Sequence, residues 1–347
     1  MSPQFDDELH ADLEYSCVAG MTRRALVLFG LMSLIWGIPY LFIRVAVTEI
    51  SPATLVFART TTAAAVLLPI ALLRTDLRPV LARWRWVAAF AVIEIGLPWV
   101  LLGSAEQRIT SSLAGLLVAG VPLVATVVAV ATGGRDRVGR AGVLGLLVGL
   151  AGVAAIVGAN LGSSSPTVLA EMALVVIGYA IGPAILARRL AGVSTVAVMA
   201  LSISLCALVY APIAAIQRPA VMPGPDVIGA VLVLGLVCTA AAFLLFSALI
   251  KETGPVRATV ITYLNPAVAT MLGVAVLNES FTAAMGIGFG LVILGSLLAT
   301  RPSAPSTPPD QTVTRKGPET RGRRRVQAEA TELATCVPSS GPPLRAP

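Results

Sequence analysis

Two charged residues fall where a charge is expensive. Arg59 lies about two turns into the apolar run 53–73, and Glu94 about two turns into the apolar run 86–104. An unpaired charge near the centre of a bilayer-crossing helix costs roughly 2.5–3.5 kcal/mol on insertion scales. Such residues face a bundle interior or a wet cavity, where a solute can meet them. A carboxylate at that depth could exchange a proton with the cavity, because its charged and neutral forms differ in desolvation cost. The competing arrangement is a buried ion pair between the two, or Arg59 reaching out to the headgroups.

Polar and aromatic residues beside helix breakers are the next candidates. Pro122 and Pro266 interrupt apolar runs. Proline withholds the N–H that would bond the carbonyl four residues earlier, here those of Val118 and Thr262. Freed carbonyls at mid-membrane are tolerated where protein or cavity water satisfies them. Tyr263 and Asn265 sit beside the second break and are candidates to hydrogen-bond a solute. Trp36-Gly37-Ile38-Pro39-Tyr40 breaks the first run similarly. Trp36 and Tyr40, four residues apart, share a helix face that either lines a cavity or fills space between helices. Tyr179, Gly182 and Pro183 make a comparable break in the run 167–188. Glu171 and Glu279 read as solvated helix ends. Gly145-x-x-x-Gly149 and Gly286-x-x-x-Gly290 have the spacing that lets helix backbones approach closely. Gly286, Gly288 and Gly290 do not form a nucleotide loop, since no strand precedes them. The only histidine, His10, lies in the N-terminal tail, and the four cysteines form no Cys-x-x-Cys pair. No metal or cofactor is therefore expected, and Ser-His chemistry is set aside.

The elements that carry these residues follow from composition. The chain is 56% hydrophobic and 12% charged, with mean hydropathy +0.86. Soluble domains carry about 25% charged residues. Apolar runs of the length needed to cross a hydrocarbon core about 30 Å thick recur along the chain. The expectation is an all-α integral membrane protein with ten transmembrane helices, at 25–47, 53–73, 86–104, 111–132, 139–158, 167–188, 194–216, 226–249, 256–277 and 281–300.

A shift of 144 residues places Pro266 on Pro122, Ala269 on Ala125, Thr270 on Thr126, Gly286 on Gly142, Pro183 on Pro39 and Arg188 on Arg44. One ancestral half has been used twice, giving repeats at 24–158 and 167–300. Five spans per half reverse the direction of the second, so the expected architecture is two inverted five-helix repeats with a site near the midplane between them. The same shift places Arg59 on Ile203 and Glu94 on Cys238. Neither charge is demanded by the repeated scaffold, which is the best argument that each serves function.

Arg23, Arg24, Arg74, Arg78, Arg83, Arg85, Arg135, Arg137, Arg140, Arg188, Arg189, Lys251 and Arg257 fall on one side. The loops of the other side carry only Arg108 and Arg218. Both termini are therefore expected in the cytoplasm, and Trp84 and Trp86 fit an aromatic belt there. Residues 1–23 form an acidic tail. Residues 301–347, rich in proline and arginine, read as a disordered tail able to touch anionic lipid heads. That tail supplies much of the net +7 charge, so nucleic acid is not an expected partner.

The Trp-Gly break in the first span, Pro52 and Arg59 around the second, and mid-helix Pro122 and Pro266 form a pattern. With the Asn278-Glu279-Ser280-Phe281-Thr282 link into a Gly-rich last span, it resembles the EamA family of the drug/metabolite transporter superfamily. The resemblance covers about residues 24–300, in two copies. It implies a multi-pass carrier of the bacterial inner membrane, usually an exporter of amino acids or other small metabolites. It also implies a central cavity between the halves, with a small-molecule substrate and membrane lipids as partners. A homodimer is compatible with it. Glu279 matches the family's acidic residue after the ninth span, whereas Gly133-Gly134-Arg135-Asp136 stands where the first half usually has a similar turn. Drug-like or lipid-like substrates are the alternative within transport. A non-transporting scaffold or sensor, or a lipid-modifying membrane enzyme, is the alternative outside it.

Met21-Thr22-Arg23-Arg24 followed by an apolar run has the form of a membrane-protein start, whereas residues 1–20 lack the basic opening of a signal peptide. The native product is expected to begin at Met21, and intact mass measurement checks this: a mass that includes residues 1–20 contradicts it.

Overall fold

Helix starts are written in pairs of residues along this chain. Thr22, Ser51, Thr110, Ser165 and Ser194 each sit just before a helix and accept a backbone N–H three residues on, from Ala25, Thr54, Leu113, Val168 and Ala197. A helix N-terminus has orphan donors that such oxygens satisfy. Pro52, Pro166 and Pro225 occupy the first helical turn, where a missing N–H costs nothing.

The computed structural model describes residues 22–131, 140–158, 165–253 and 261–299, and these are all-helical. Seven helices are long and apolar enough to cross a membrane: α1 (Arg23–Ala46), α2 (Pro52–Arg74), α3 (Trp84–Glu106), α4 (Ser111–Ala131), α6 (Pro166–Arg189), α7 (Thr195–Ile216) and α8 (Pro225–Thr253). Shorter apolar helices complete the set: α5 (Arg140–Gly158), α9 (Ile261–Leu277) and α10 (Ala283–Ala299). The expected start of the ninth span, both tails and the turn Gly133-Gly134-Arg135-Asp136 lie outside the described residues.

The most extensive helix contacts join α5 to α10 and α2 to α7, followed by α3 to α6 and α1 to α8. The first two link a helix to the one five places later, as does the contact of α4 with α9. Trp84 and Trp86 are exposed at the arginine-rich end, where the Arg189 guanidinium sits 4.6 Å over the Trp86 ring.

The breaks fall differently from expectation. Pro39 does split α1, with a joint at Ile38. Near Pro122 the helix is interrupted at Ala119–Gly120, just upstream. Pro183 and Pro266, expected to break their helices, lie inside continuous ones. A proline removes one bond and need not end a helix. Thr126 donates to the Pro122 carbonyl at 2.9 Å, and Thr270 to the Pro266 carbonyl at 2.8 Å. The two bonds are local equivalents, 144 residues apart.

Glycine packing also needs a correction. A Cβ at Gly145 would lie 2.5 Å from the Ala299 nitrogen, and one at Gly152 2.6 Å from the Gly288 oxygen. On α10 the close approach is made by Gly288 and Gly295, not by the Gly286/Gly290 pair that the spacing suggested. Gly290 has nothing within 4 Å. The motif identified a close-packing helix but not its buried face. Gly295→Ala is therefore expected to destabilise the protein by about 1–3 kcal/mol through overpacking, whereas Gly290→Ala leaves stability unchanged. Thermal unfolding in detergent measures both.

Candidate functional site

Arg59 is 7% exposed on α2. Its Nε donates to Thr239 Oγ1 at 3.0 Å, and its guanidinium carbon lies 3.6 Å over the centre of the Trp99 ring. Thr239 donates its own hydroxyl proton to the Leu234 carbonyl at 2.7 Å, which leaves its oxygen lone pairs facing Arg59. Desolvated cation–π contacts of this kind contribute about 2 kcal/mol. Tyr40, Tyr179, Cys238 and Glu106 are the other groups within electrostatic reach. Among the described residues no carboxylate lies within ion-pair distance of Arg59; the salt bridges found there are Arg24–Glu252 and Arg108–Glu171.

The neighbours of Arg59 come from two irregular segments. α3 runs as π-helix over Ala91–Gly96, which contains Glu94. α8 does so over Val233–Ala241, which contains Cys238 and Thr239. Inserted π turns often mark functional positions. Each has a local cause. Pro98 has no N–H for the Glu94 carbonyl, and Thr239 bonds a carbonyl five residues back. α7 supplies donors to the loosened α3 ladder: Cys206 Sγ to the Ala91 carbonyl at 3.4 Å and Tyr210 hydroxyl to the Gly96 carbonyl at 2.9 Å.

Glu94 does not pair with Arg59. Its half-buried carboxylate packs against α6, where a Cβ at Gly182 would fall 1.9 Å from Oε2. That oxygen is buried and accepts no hydrogen bond. Tyr179, one turn before Gly182, is half-buried and within electrostatic reach of both Glu94 and Arg59.

The remaining candidates separate. Tyr40 is buried near Arg59. Trp36 lies across the Ile38 joint in a different cluster, 4.7 Å from Phe246 and 6.2 Å from Phe243 between ring centroids. The two pack into different clusters and form no common patch. Asn265, with its amide oriented so that nitrogen donates, bonds the carbonyls of Ile261 at 2.9 Å and Ser33 at 3.2 Å. It ties α9 to α1. Tyr263 is half-buried on α9.

Neither acidic helix end is merely solvated. Glu171 accepts from Ser104 at 3.1 Å and pairs with Arg108. Glu279 Oε1 accepts the Ser111 N–H at 2.8 Å, and Oε2 accepts the Ser112 N–H at 2.8 Å and the Ser112 hydroxyl at 2.5 Å. It caps α4 from the far half of the chain. Asn278, at φ +54°, makes the left-handed turn that aims it there, a conformation asparagine tolerates.

Trp99, Thr239 and Glu106 were not foreseen. Glu106 ends α3 and is fully buried. Hydropathy placed it in a loop beside Arg108; Trp99 and Thr239 carried no signal in an apolar run. A polar cavity of about 350 Å³ lies nearby, lined by Arg44, Thr48, Glu49, Thr110, Asp226 and Glu279 among others. Arg44 Nη1 also donates to the Glu106 main-chain carbonyl.

Comparison with known proteins adds an independent line. The family model described as the EamA-like transporter family matches residues 23–158 and again residues 168–301. The inner membrane transporter YedA of Escherichia coli (strain K12), described as uncharacterized, is 28% identical over 287 residues, covering 80% of this chain and 92% of YedA. A protein of known crystal structure is similar with TM-score 0.58 and 25% identity, covering 80% of this chain and 96% of that one.

Glu279→Ala is expected to cost about 1.5–3 kcal/mol, the range for hydrogen bonds to a charged group, as a lowered unfolding temperature in detergent. An unchanged temperature would show that the cap contributes nothing.

Proposed function

Because the chain belongs to the EamA-like transporter family, we propose that it is a secondary carrier exporting amino acids or other small metabolites across the bacterial inner membrane. The name of YedA supports that location. The architecture proposed is ten spans in two inverted five-helix repeats, with both termini cytoplasmic. Four observations support it: the family model matches twice, helices pair with those five places later, both π segments fall 144 residues apart, and so do the Thr126 and Thr270 bonds.

Alternating access then consists of rocking one repeat against the other about a central site. At the end poor in Lys and Arg, the repeats are bridged by Glu279 to Ser111 and Ser112, Glu49 to Gly224, Ser51 to Gln217 and Arg108 to Glu171. At the other end Thr22 and Arg24 meet Glu252, and Arg83 donates to the carbonyls of Arg189 and Ala191. Opening either side requires its own set to separate.

One observation carries the substrate reading: Arg59 is a buried guanidinium held by Thr239 and Trp99 with no carboxylate of its own. A solute carboxylate would complete it with charge-assisted bonds. Tyr40, Tyr179 and Glu94 surround that position, with Trp36, Tyr263 and Asn265 further along the path. A drug-like or lipid-like substrate is the second reading. It is favoured by an apolar groove of about 180 Å³ between α3 and α7, lined by Val92, Leu97, Leu205 and Val209 among others. Flux separates both from a scaffold, which moves nothing, and from an enzyme, which changes its substrate covalently.

The test is efflux from cells loaded with labelled amino acids and metabolites, at matched membrane levels. Arg59→Ala is expected to lower efflux of one carboxylate-bearing class by roughly tenfold or more, given about 1.5–3 kcal/mol for bonds to a charged group. Wild type equal to empty vector across the panel would shift the reading to drug-like or lipid substrates. Glu94→Gln with unchanged efflux and unchanged pH dependence would remove Glu94 from the mechanism.

A further inference from the structure

We propose, on the premise that the chain is a carrier, that Glu106 is the carboxylate that takes up and releases a coupling proton. The argument begins with what other carboxylates here possess. Glu279 has three donors, Glu171 has Ser104 and Arg108, Glu252 has Thr22 and Arg24, and Glu49 has the Gly224 N–H. Glu106 is the most deeply buried of these, at 0% exposure, yet neither of its carboxylate oxygens accepts a hydrogen bond. A buried polar group without a partner is costly, and a buried charge far more so. A group left without a protein partner in a native fold commonly belongs to a functional site or is completed by water or an ion.

The groups facing it come from every element around it. Arg44 and Tyr40 face it from α1, Arg59 from α2 and Tyr179 from α6; Glu279 faces it from the α9–α10 link. Ser111 at the start of α4 has a buried hydroxyl oxygen that also lacks a hydrogen-bond partner. Two arginines are thus within electrostatic reach, but neither is bonded to the carboxylate. Arg59 is committed to Thr239 and Trp99, and Arg44 to the Glu106 main-chain carbonyl. The carboxylic acid suits this arrangement, and the carboxylate suits one in which an arginine has closed on it. A group whose two protonation states favour two helix arrangements biases the equilibrium between them.

Glu106 does not itself line the cavity of about 350 Å³, but its neighbours Arg44 and Glu279 do, and access comes in the arrangement that opens that cavity to Glu106. A hydronium ion there transfers its proton to a Glu106 carboxylate oxygen and leaves as water. The O–H bond breaks again when the proton passes to water on the opposite side, and no other bond changes. Glu94 is the weaker candidate: Tyr179 is its titratable neighbour, and no arginine stands ready to replace its proton.

The experiment uses the full chain in proteoliposomes with a labelled mixture of neutral amino acids. Counterflow without a pH gradient reads solute exchange; accumulation under an imposed pH gradient reads coupling. Glu106→Gln is expected to keep counterflow and lose gradient-driven accumulation, and Glu106→Asp to keep both with a shifted pH dependence. Undiminished accumulation by Glu106→Gln overturns the proposal, as does a wild type that exchanges solute but ignores the gradient. Loss of counterflow together with accumulation, at an unchanged unfolding temperature, makes Glu106 a solute contact and overturns it too. If Glu106→Gln does not fold, Glu106→Asp decides: an unchanged pH dependence overturns coupling. A wild type without counterflow fails the carrier reading itself.

Discussion

Inside a bilayer no water repairs a broken backbone hydrogen bond, and every irregular segment must be answered by another part of the protein. Much of this structure follows from that constraint. The π segment of α3 is tolerable because α7 brings Cys206 and Tyr210 to its carbonyls. Asn265 turns its amide nitrogen to carbonyls of α9 and α1 and so joins the two helices.

Against that satisfied background the exceptions gain meaning. Arg59 is fixed from two sides but has no counter-charge, and Glu106 has no donor. They belong to one buried cluster with Tyr40 and Tyr179. The cluster is assembled where two π segments, one from each half, turn side chains inward from α3 and α8. The family model matches the chain twice; the charges that differ between the two matched stretches, Arg59 opposite Ile203 and Glu94 opposite Cys238, distinguish one from the other.

The cost of charge in hydrocarbon made Arg59 and Glu94 legible without coordinates, but it did not reveal their partners. The competing arrangement, an ion pair between them, does not form: Glu94 packs against Gly182 on α6. Glu106 escaped notice because it is adjacent to Arg108 at a helix end, where a charge normally meets water. Glu279 was misread as solvated for the same reason. The bend at Asn278 and the two serines of α4, distant in sequence, turn it into a cap.

By itself the sequence determined the membrane class, the positions of the apolar helices within a few residues and the family, whose model matches the chain twice. These depend on composition and periodicity, which are local and repeated many times. Only the tertiary structure decided which glycines meet, which prolines break a helix and which polar groups are left over. Those outcomes depend on which face of one helix meets which face of another, and the rotation added by a π turn changes the partner without changing the apolar pattern.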